Sequence, residues 1–300
     1  MANKIFSPPV ETSDQALRTA RRYYQKQKFL DKFGSYFLLL LATVLLGLPF
    51  FWMLVTSVKP AQEVILYPPH WLPSVIQLDN FLTAWNTVPF GWFYFNSVYT
   101  GVVTTIFQVL FGLLMAYALV FINFPAKNFL FIMVLITMMI PVEMKLVPNY
   151  LILKKLGWIN TYWALIVPPI AHAFPVFVMQ QQFKTLPRDL IDAAKVDGAN
   201  HLQILFKVVA PVSRSLLAAV FLVSFVGRWN DYLWPLIVTS EVKMRTLPIG
   251  LAYLKATQEG IPEWNILMAG SIFVIIPILL LFIFTQRQFV EGITRGALKG

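Results

Sequence analysis

Two short stretches hold most of the side chains with which this sequence could do chemistry inside an otherwise apolar chain. The first, "GRWNDYLWP", runs from Gly227 to Pro235 and sets Arg228 and Asp231 three residues apart. On a helix such residues are neighbours, so a guanidinium and a carboxylate there can pair. Ionisable groups in the middle of a bilayer are costly and turn toward a bundle interior or a wet cavity. Two readings stand side by side. Arg228 and Asp231 form a structural ion pair, or Trp229, Asn230, Asp231, Tyr232 and Trp234 border a polar substrate path. Aromatic faces beside amide and carboxylate groups suit the hydroxyls and apolar C–H faces of a sugar.

Other chemistry is excluded more firmly. There is no cysteine, hence no thiol nucleophile, disulfide or Cys-metal site. No G-x-x-x-x-G-K-[ST] loop cradles a nucleotide. His70, His172 and His201 are far apart and show no ligand spacing, so no catalytic residue, metal site or bound cofactor is expected. His172, in "PPIAHAFPVF", suits an interhelical hydrogen bond or a place on a path.

The second stretch, "LPRDLIDAAKVDGANHLQILFKVVAP", spans Leu186–Pro211. Pro187 at a helix start and Gly198 just past its end are boundary signals. The first short helix offers Ala193, Ala194 and Gly198 as a small-residue face for close packing. The second carries Leu202, Leu205, Phe206 and Val209 at i, i+3, i+4 and i+7, an apolar face laid against the bundle, with Gln203 a neutral flank. Pro211 begins the turn into the next apolar run.

These stretches must be positioned by membrane helices. Of 300 residues, 58% are hydrophobic and 13% charged, far from the roughly 25% charged of soluble domains. The fold class is all-α, a polytopic integral membrane protein with about six transmembrane helices. Runs of about 20 apolar residues, the length that crosses a bilayer, fall near 33–58, 95–122, 127–148, 161–182, 213–238 and 264–286. The third is weakest, with Pro141, Glu143, Lys145 and Pro148 behind a short uncharged part, and is expected to break near its outer end. The organisation reads as a basic tail (1–32), a transmembrane domain (33–286, holding the segment 186–211) and a C-terminal tail (287–300).

The net charge of +10 follows the membrane rather than a nucleic acid. With both termini inside, sixteen of the 24 Lys and Arg fall in inside segments and seven in outside ones, and Arg228 lies within a span. That asymmetry gives cytoplasmic termini. The N-terminal tail reads as a surface helix against lipid headgroups, and its first apolar run is too long for a signal peptide. The outside loop from Lys59 to about Tyr94 is rich in Pro, Trp and Tyr, as expected at a membrane interface.

The order of residues in the second stretch resembles the cytoplasmic signature of ABC importer permeases: EAA, three residues, Gly, nine residues, then I-x-L-P. Asp192, Ala193 and Ala194 stand for EAA, Gly198 matches the glycine, and Val208, Val209, Ala210 and Pro211 close the motif with conservative departures. The stretches "MIPVEMKLVPNYLILKKLGWINTYWALIVP", "RWNDYLWPLIV" and "QRQFVEGITRGALKG" are similar to carbohydrate importer permeases of the maltose system's smaller-permease type. The resemblance implies the binding-protein-dependent importer permease fold. It also implies that Asp192, Ala193, Ala194, Asp197, Gly198, Ala199 and Pro211 form a coupling helix docking on an ATPase.

The implied partners are a second homologous permease, two ATPase subunits holding ATP and Mg, and an extracytoplasmic substrate-binding protein. On this reading the chain sits in the prokaryotic inner membrane, is not itself an enzyme and moves a carbohydrate. Glycerol phosphate is the alternative cargo within the family. A secondary carrier is disfavoured by the absence of internal repeats, and a non-transporting scaffold by the hinged helix pair.

Overall fold

The computed structural model describes the backbone of residues 11–256 and 263–297, and the side chains of 32–256 and 263–286. The outermost basic residues of both tails, Lys4 and Lys299, lie outside the described residues. The chain divides into two compact units, Met1–Val55 and Thr56–Gly300.

The first unit is the greater part of one helix, α1 (Glu11–Ser57), in which the expected surface helix and the first span run together without a break. Its apolar part, Lys32–Ser57, has a mean hydropathy of 2.5, and Pro49 is accommodated within it.

The second unit opens with α2 (Ala61–Val64) and α3 (Asp79–Thr87) and then α4 (Phe90–Phe121), a 32-residue span. There follow α5 (Lys127–Met139), α6 (Val142–Lys155), α7 (Tyr162–Ile170) and α8 (Ala173–Lys184). The next stretch holds α9 (Arg188–Val196), α10 (His201–Ile204), a π-helical turn (Leu205–Val209) and α11 (Ala210–Val212). It leads into α12 (Arg214–Trp229), α13 (Leu233–Val238), α14 (Leu247–Ala256) and α15 (Trp264–Ala297). Among the described residues four helices are long and apolar enough to cross a bilayer, or six if each of two bent pairs counts as one span.

Prolines account for the bends. Ile140 precedes Pro141 and is extended at φ −80, ψ 116, the conformation that a following proline imposes. The chain turns there by 100° between α5 and α6, where the third span was expected to break. The fourth and fifth spans are interrupted too. Pro168 and Pro169 fall inside α7, which stops at Ile170, and the chain resumes as α8 after His172. The fifth ends its main helix at Trp229 and resumes at Leu233.

Helix α4 organises the unit. Its N-terminal half packs through Phe90 and Phe93 on Phe225 and Trp229 of α12, Leu247 and Leu254 of α14, and Ile266 and Leu267 of α15. Its other half packs through Leu113, Ala116 and Tyr117 on Met179 and Phe183 of α8 and on the segment that follows α9. Gly112 permits the approach to α8, since a Cβ there would lie 2.7 Å from Pro175 Cβ.

Candidate functional sites

The segment 186–211 is built from local hydrogen bonds. Helix α9 ends in a Schellman motif: Ala199 N–H donates to Ala194 O and Gly198 N–H to Lys195 O, both at 3.0 Å. Gly198 sits at φ +77, which a side chain would strain, with open space where its Cβ would be. The chain then restarts at once on a capping box. Gln203 N–H donates to Asn200 Oδ1 and Asn200 N–H to Gln203 Oε1, each at 2.9 Å. Gln203 is therefore half of a cap rather than a neutral flank.

The apolar face of the second helix also differs from the expected one. Leu205 and Val209 are buried, but Ile204 is their inward partner, while Leu202 is 60% and Phe206 48% exposed. For Phe206 the π-turn is the reason, while Leu202 precedes it on the outer side of α10. Pro211 has no N–H, and its ring would meet the carbonyl four residues back. The turn before it widens, so that Ala210 N–H reaches Leu205 O, and the simple i, i+4 register is lost. Beyond Pro211 the chain bends by 83° into α12.

The small residues of α9 divide between two sides. Ala194 is half-buried against the bundle together with Ile191 and Ala199, whereas Ala193, Asp192 and Asp197 face outward. The outward face also carries Val196, 87% exposed. Asp192 pairs with Lys195 at 3.1 Å on that surface. One contact that sequence reasoning missed joins the segment to the spans: Tyr117 OH of α4 lies 3.0 Å from His201 Nδ1.

The "RWNDYLW" cluster separates into three roles. Arg228 Nη1 is 2.9 Å from Asp231 Oδ2, so the ion pair forms. It spans the break, with the cation at the C-terminal end of α12 and the anion at the start of α13, each at the helix pole that favours it. Asp231 Oδ1 also accepts from Trp234 N–H at 3.4 Å.

The two tryptophans that the sequence offered as path residues are buried in this structure and act as struts between spans. Trp234 is buried and its indole N–H donates to Ala164 O at 2.9 Å. Pro168, four residues on, lacks the N–H that would satisfy that carbonyl in a regular helix. Trp229, 1% exposed, donates to Val274 O at 3.0 Å, beside the turn that Pro277 disturbs in α15. Asn230 and Tyr232 remain exposed at the break. His172 opens α8 at the neighbouring break, within electrostatic reach of Arg228 and of Lys145 in α6. Interrupted backbone in three spans thus brings polar groups together, as happens where a chain lines a cavity rather than lipid.

A polar stripe on α4 was also missed. Asn96, Thr100, Thr104 and Gln108 recur every four residues and are all buried. Asn96 donates to Lys243 O and Arg245 O at 2.8 and 2.9 Å and accepts from Tyr162 OH at 2.7 Å. Gln108 donates to Pro169 O at 2.6 Å, a carbonyl freed by the break in the fourth span. The four-residue spacing was the available signal, since it places one face along a helix.

Beyond the first span, the Lys59–Leu78 loop folds on Glu63. Its carboxylate accepts from Ser74 N–H and Oγ–H and meets His70 Nδ1 at 3.3 Å. The Ser74 backbone bond chiefly holds this carboxyl below its ordinary pKa against the opposing effect of burial, helped by Ser74 Oγ, His70 and Lys59. Lys59 Nζ donates to His70 O. Tyr67 and Trp71 are left exposed on the loop, as expected of aromatic rings at an interface.

The profile of binding-protein-dependent transport system inner membrane components matches residues 108–295. An arabinooligosaccharides transport system permease of Halalkalibacterium halodurans is 40% identical over 229 residues, 76% of this chain and 81% of its own. Its Bacillus subtilis counterpart is 35% identical over 256 residues, 84% and 90% of the two chains. An sn-glycerol-3-phosphate transport system permease of Pectobacterium atrosepticum is 32% identical over 275 residues, 90% of this chain and 98% of its own. In fold, the chain is similar to a chain of a bacterial ABC transporter involved in the import of the acidic polysaccharide alginate. That match has a TM-score of 0.76 and 20% identity over 94% of this chain and 100% of the other.

Proposed function

The chain belongs to the binding-protein-dependent transport system inner membrane components, and on that premise we propose that it is one of two permease subunits of an ATP-driven carbohydrate importer. ATP and Mg are held by two separate ATPase subunits, and an extracytoplasmic binding protein delivers the cargo. The chain itself binds no cofactor. The carrying observation is the segment 186–211, whose inner residues seal against the spans while Ala193, Val196 and Leu202 stand bare. Bare apolar side chains on a polar projection of a membrane protein call for a protein partner. Closure of the ATPase pair moves this projection and, through Tyr117–His201 and the buried Ile204, Leu205 and Val209, rocks the spans between two access states.

Asn230 and Tyr232, with the Arg228–Asp231 pair, border the path at the breaks. The pair is neutral as a unit, which suits an uncharged sugar better than a phosphate ester, and the relatives that carry arabinooligosaccharides are the more identical ones. The test is ATP-driven uptake into liposomes by the reconstituted importer, offered labelled arabino-oligosaccharides or sn-glycerol 3-phosphate. Uptake of the sugar, lowered by Asn230→Ala and Tyr232→Ala without loss of stability, is expected. Uptake of the phosphate ester alone moves the chain to the alternative cargo. Orientation is checked with an impermeant thiol reagent, which labels Pro69→Cys from outside and Asn200→Cys from inside only.

A further inference from the structure

Where α4 and α8 end, on the same side of the bundle as α9, the described residues enclose a cavity of about 230 Å³. Its polar wall holds three cations, Lys127, Lys184 and Arg188, with the amides of Asn128 and Gln180. Its apolar wall includes Leu119, Phe121, Phe131 and Phe183. Among the described residues none of the three cations pairs with a carboxylate. Lys127 Nζ lies 3.4–3.5 Å from the carbonyls of Ile122 and Val120, and Lys184 Nζ sits 5.4 Å from the Phe131 ring centroid. Asp189, in the first turn of α9, does not line the cavity. Helices α5 and α9 begin at Lys127 and Arg188, so the positive poles of two helices add to the same field.

We propose that this cavity binds the headgroup of an anionic phospholipid, its phosphodiester held by Lys127, Lys184 and Arg188. The place in the membrane favours a lipid over any soluble anion. Phe121 and Lys184 are the last residues of two spans, which sets the cavity at a bilayer boundary. Phe129, Leu130 and Ile132 of the adjoining α5 are exposed, an apolar flank along which acyl chains descend from the headgroup. Basic pockets between helices at such a boundary are a recurrent mode of anionic-lipid recognition. Because α9 starts in the cavity and also carries the outward face at Val196, an occupied cavity fixes the base of the projection that the proposed function assigns to the ATPase.

The test uses the assembled, delipidated importer in native mass spectrometry, titrated with phosphatidylglycerol, phosphatidylcholine or inorganic phosphate. Wild type retains phosphatidylglycerol in preference to phosphatidylcholine. Removing one cation, as in Arg188→Gln, weakens retention about fivefold, and the triple variant Lys127→Gln, Lys184→Gln, Arg188→Gln weakens it on the order of a hundredfold. Lys195→Gln, paired on the outer face, changes nothing. The single variants carry the test if the triple variant does not assemble. Equal retention of phosphatidylglycerol by wild type and the variants overturns the site. Displacement of the lipid by inorganic phosphate makes it a free-anion site and overturns the lipid reading. Unchanged lipid with loss of the ATPase from the triple variant makes the cations a protein contact and likewise overturns it. None of these outcomes depends on which cargo is carried.

Discussion

At Gly198 the chain reverses on hydrogen bonds that reach no more than five residues, whereas at Asn230–Tyr232 the interruption is held by partners in other spans. The first is a Schellman turn followed by a capping box, standing on the surface. The second is flanked by two buried indoles, one tied to α15 and one to α7, with an ion pair across the gap. A joint made of local bonds keeps its shape as a body, while the residues beside it, Ile191, Ala194 and Ile204, pass its displacement into the core. A joint whose struts cross between spans moves only if those spans move together. The molecule thus has a locally built joint in the segment proposed to meet the ATPase, and a joint braced from other spans where three interrupted spans meet.

Substitutions can break this contrast in order of size. Trp234→Ala removes a buried indole and leaves Ala164 O unpaired, and is expected to cost about 3–5 kcal/mol, read as lost thermal stability in detergent. A loss near zero would mean that the fifth-span break is not stiff. Arg228→Met leaves Asp231 unpaired; for a pair that is partly exposed the expected cost is about 3 kcal/mol, the low end for buried pairs. Adding Asp231→Leu should restore most of it, whereas a double variant as unstable as the single would show the pair to be incidental. At the other joint, Gly198→Val is expected to cost about 1–2 kcal/mol because φ is positive, with Gly198→Asn milder. Equal melting of both variants would remove the conformational argument. Asn200→Ala, which opens the capping box, is expected to cost about 1 kcal/mol, visible as faster amide exchange confined to 200–204. Exchange rising equally across α12 would make the joint a global one.

The same contrast explains what could be read in the sequence. Pro187, Gly198 and Pro211 act on their own neighbours, so the helix pair and its limits were legible. So was the pairing of Arg228 with Asp231, which needs only three residues of spacing. The burial of Trp229 and Trp234 was not legible, because it depends on carbonyls in other spans: Val274 O, and Ala164 O, which Pro168 leaves without its helical donor. Residue type alone cannot tell a ring facing a path from a ring plugging a backbone gap. The exposure of Phe206 was hidden by a one-residue change of register in the π-turn. Asn96 and Gln108 escaped because their partners lie at sequence separations of 147 and 61 residues.

The central claim is that the outward face of 186–211 transmits ATPase motion. It is tested by Val196→Asp, because Val196 is 87% exposed and contributes little to the fold of the free chain. The measurement is co-purification of the ATPase with the permease, together with substrate-stimulated hydrolysis in reconstituted membranes. The account predicts an unchanged melting temperature for the permease alone, with loss of attachment or of stimulation. Full attachment and full stimulation in the Val196→Asp importer would contradict it.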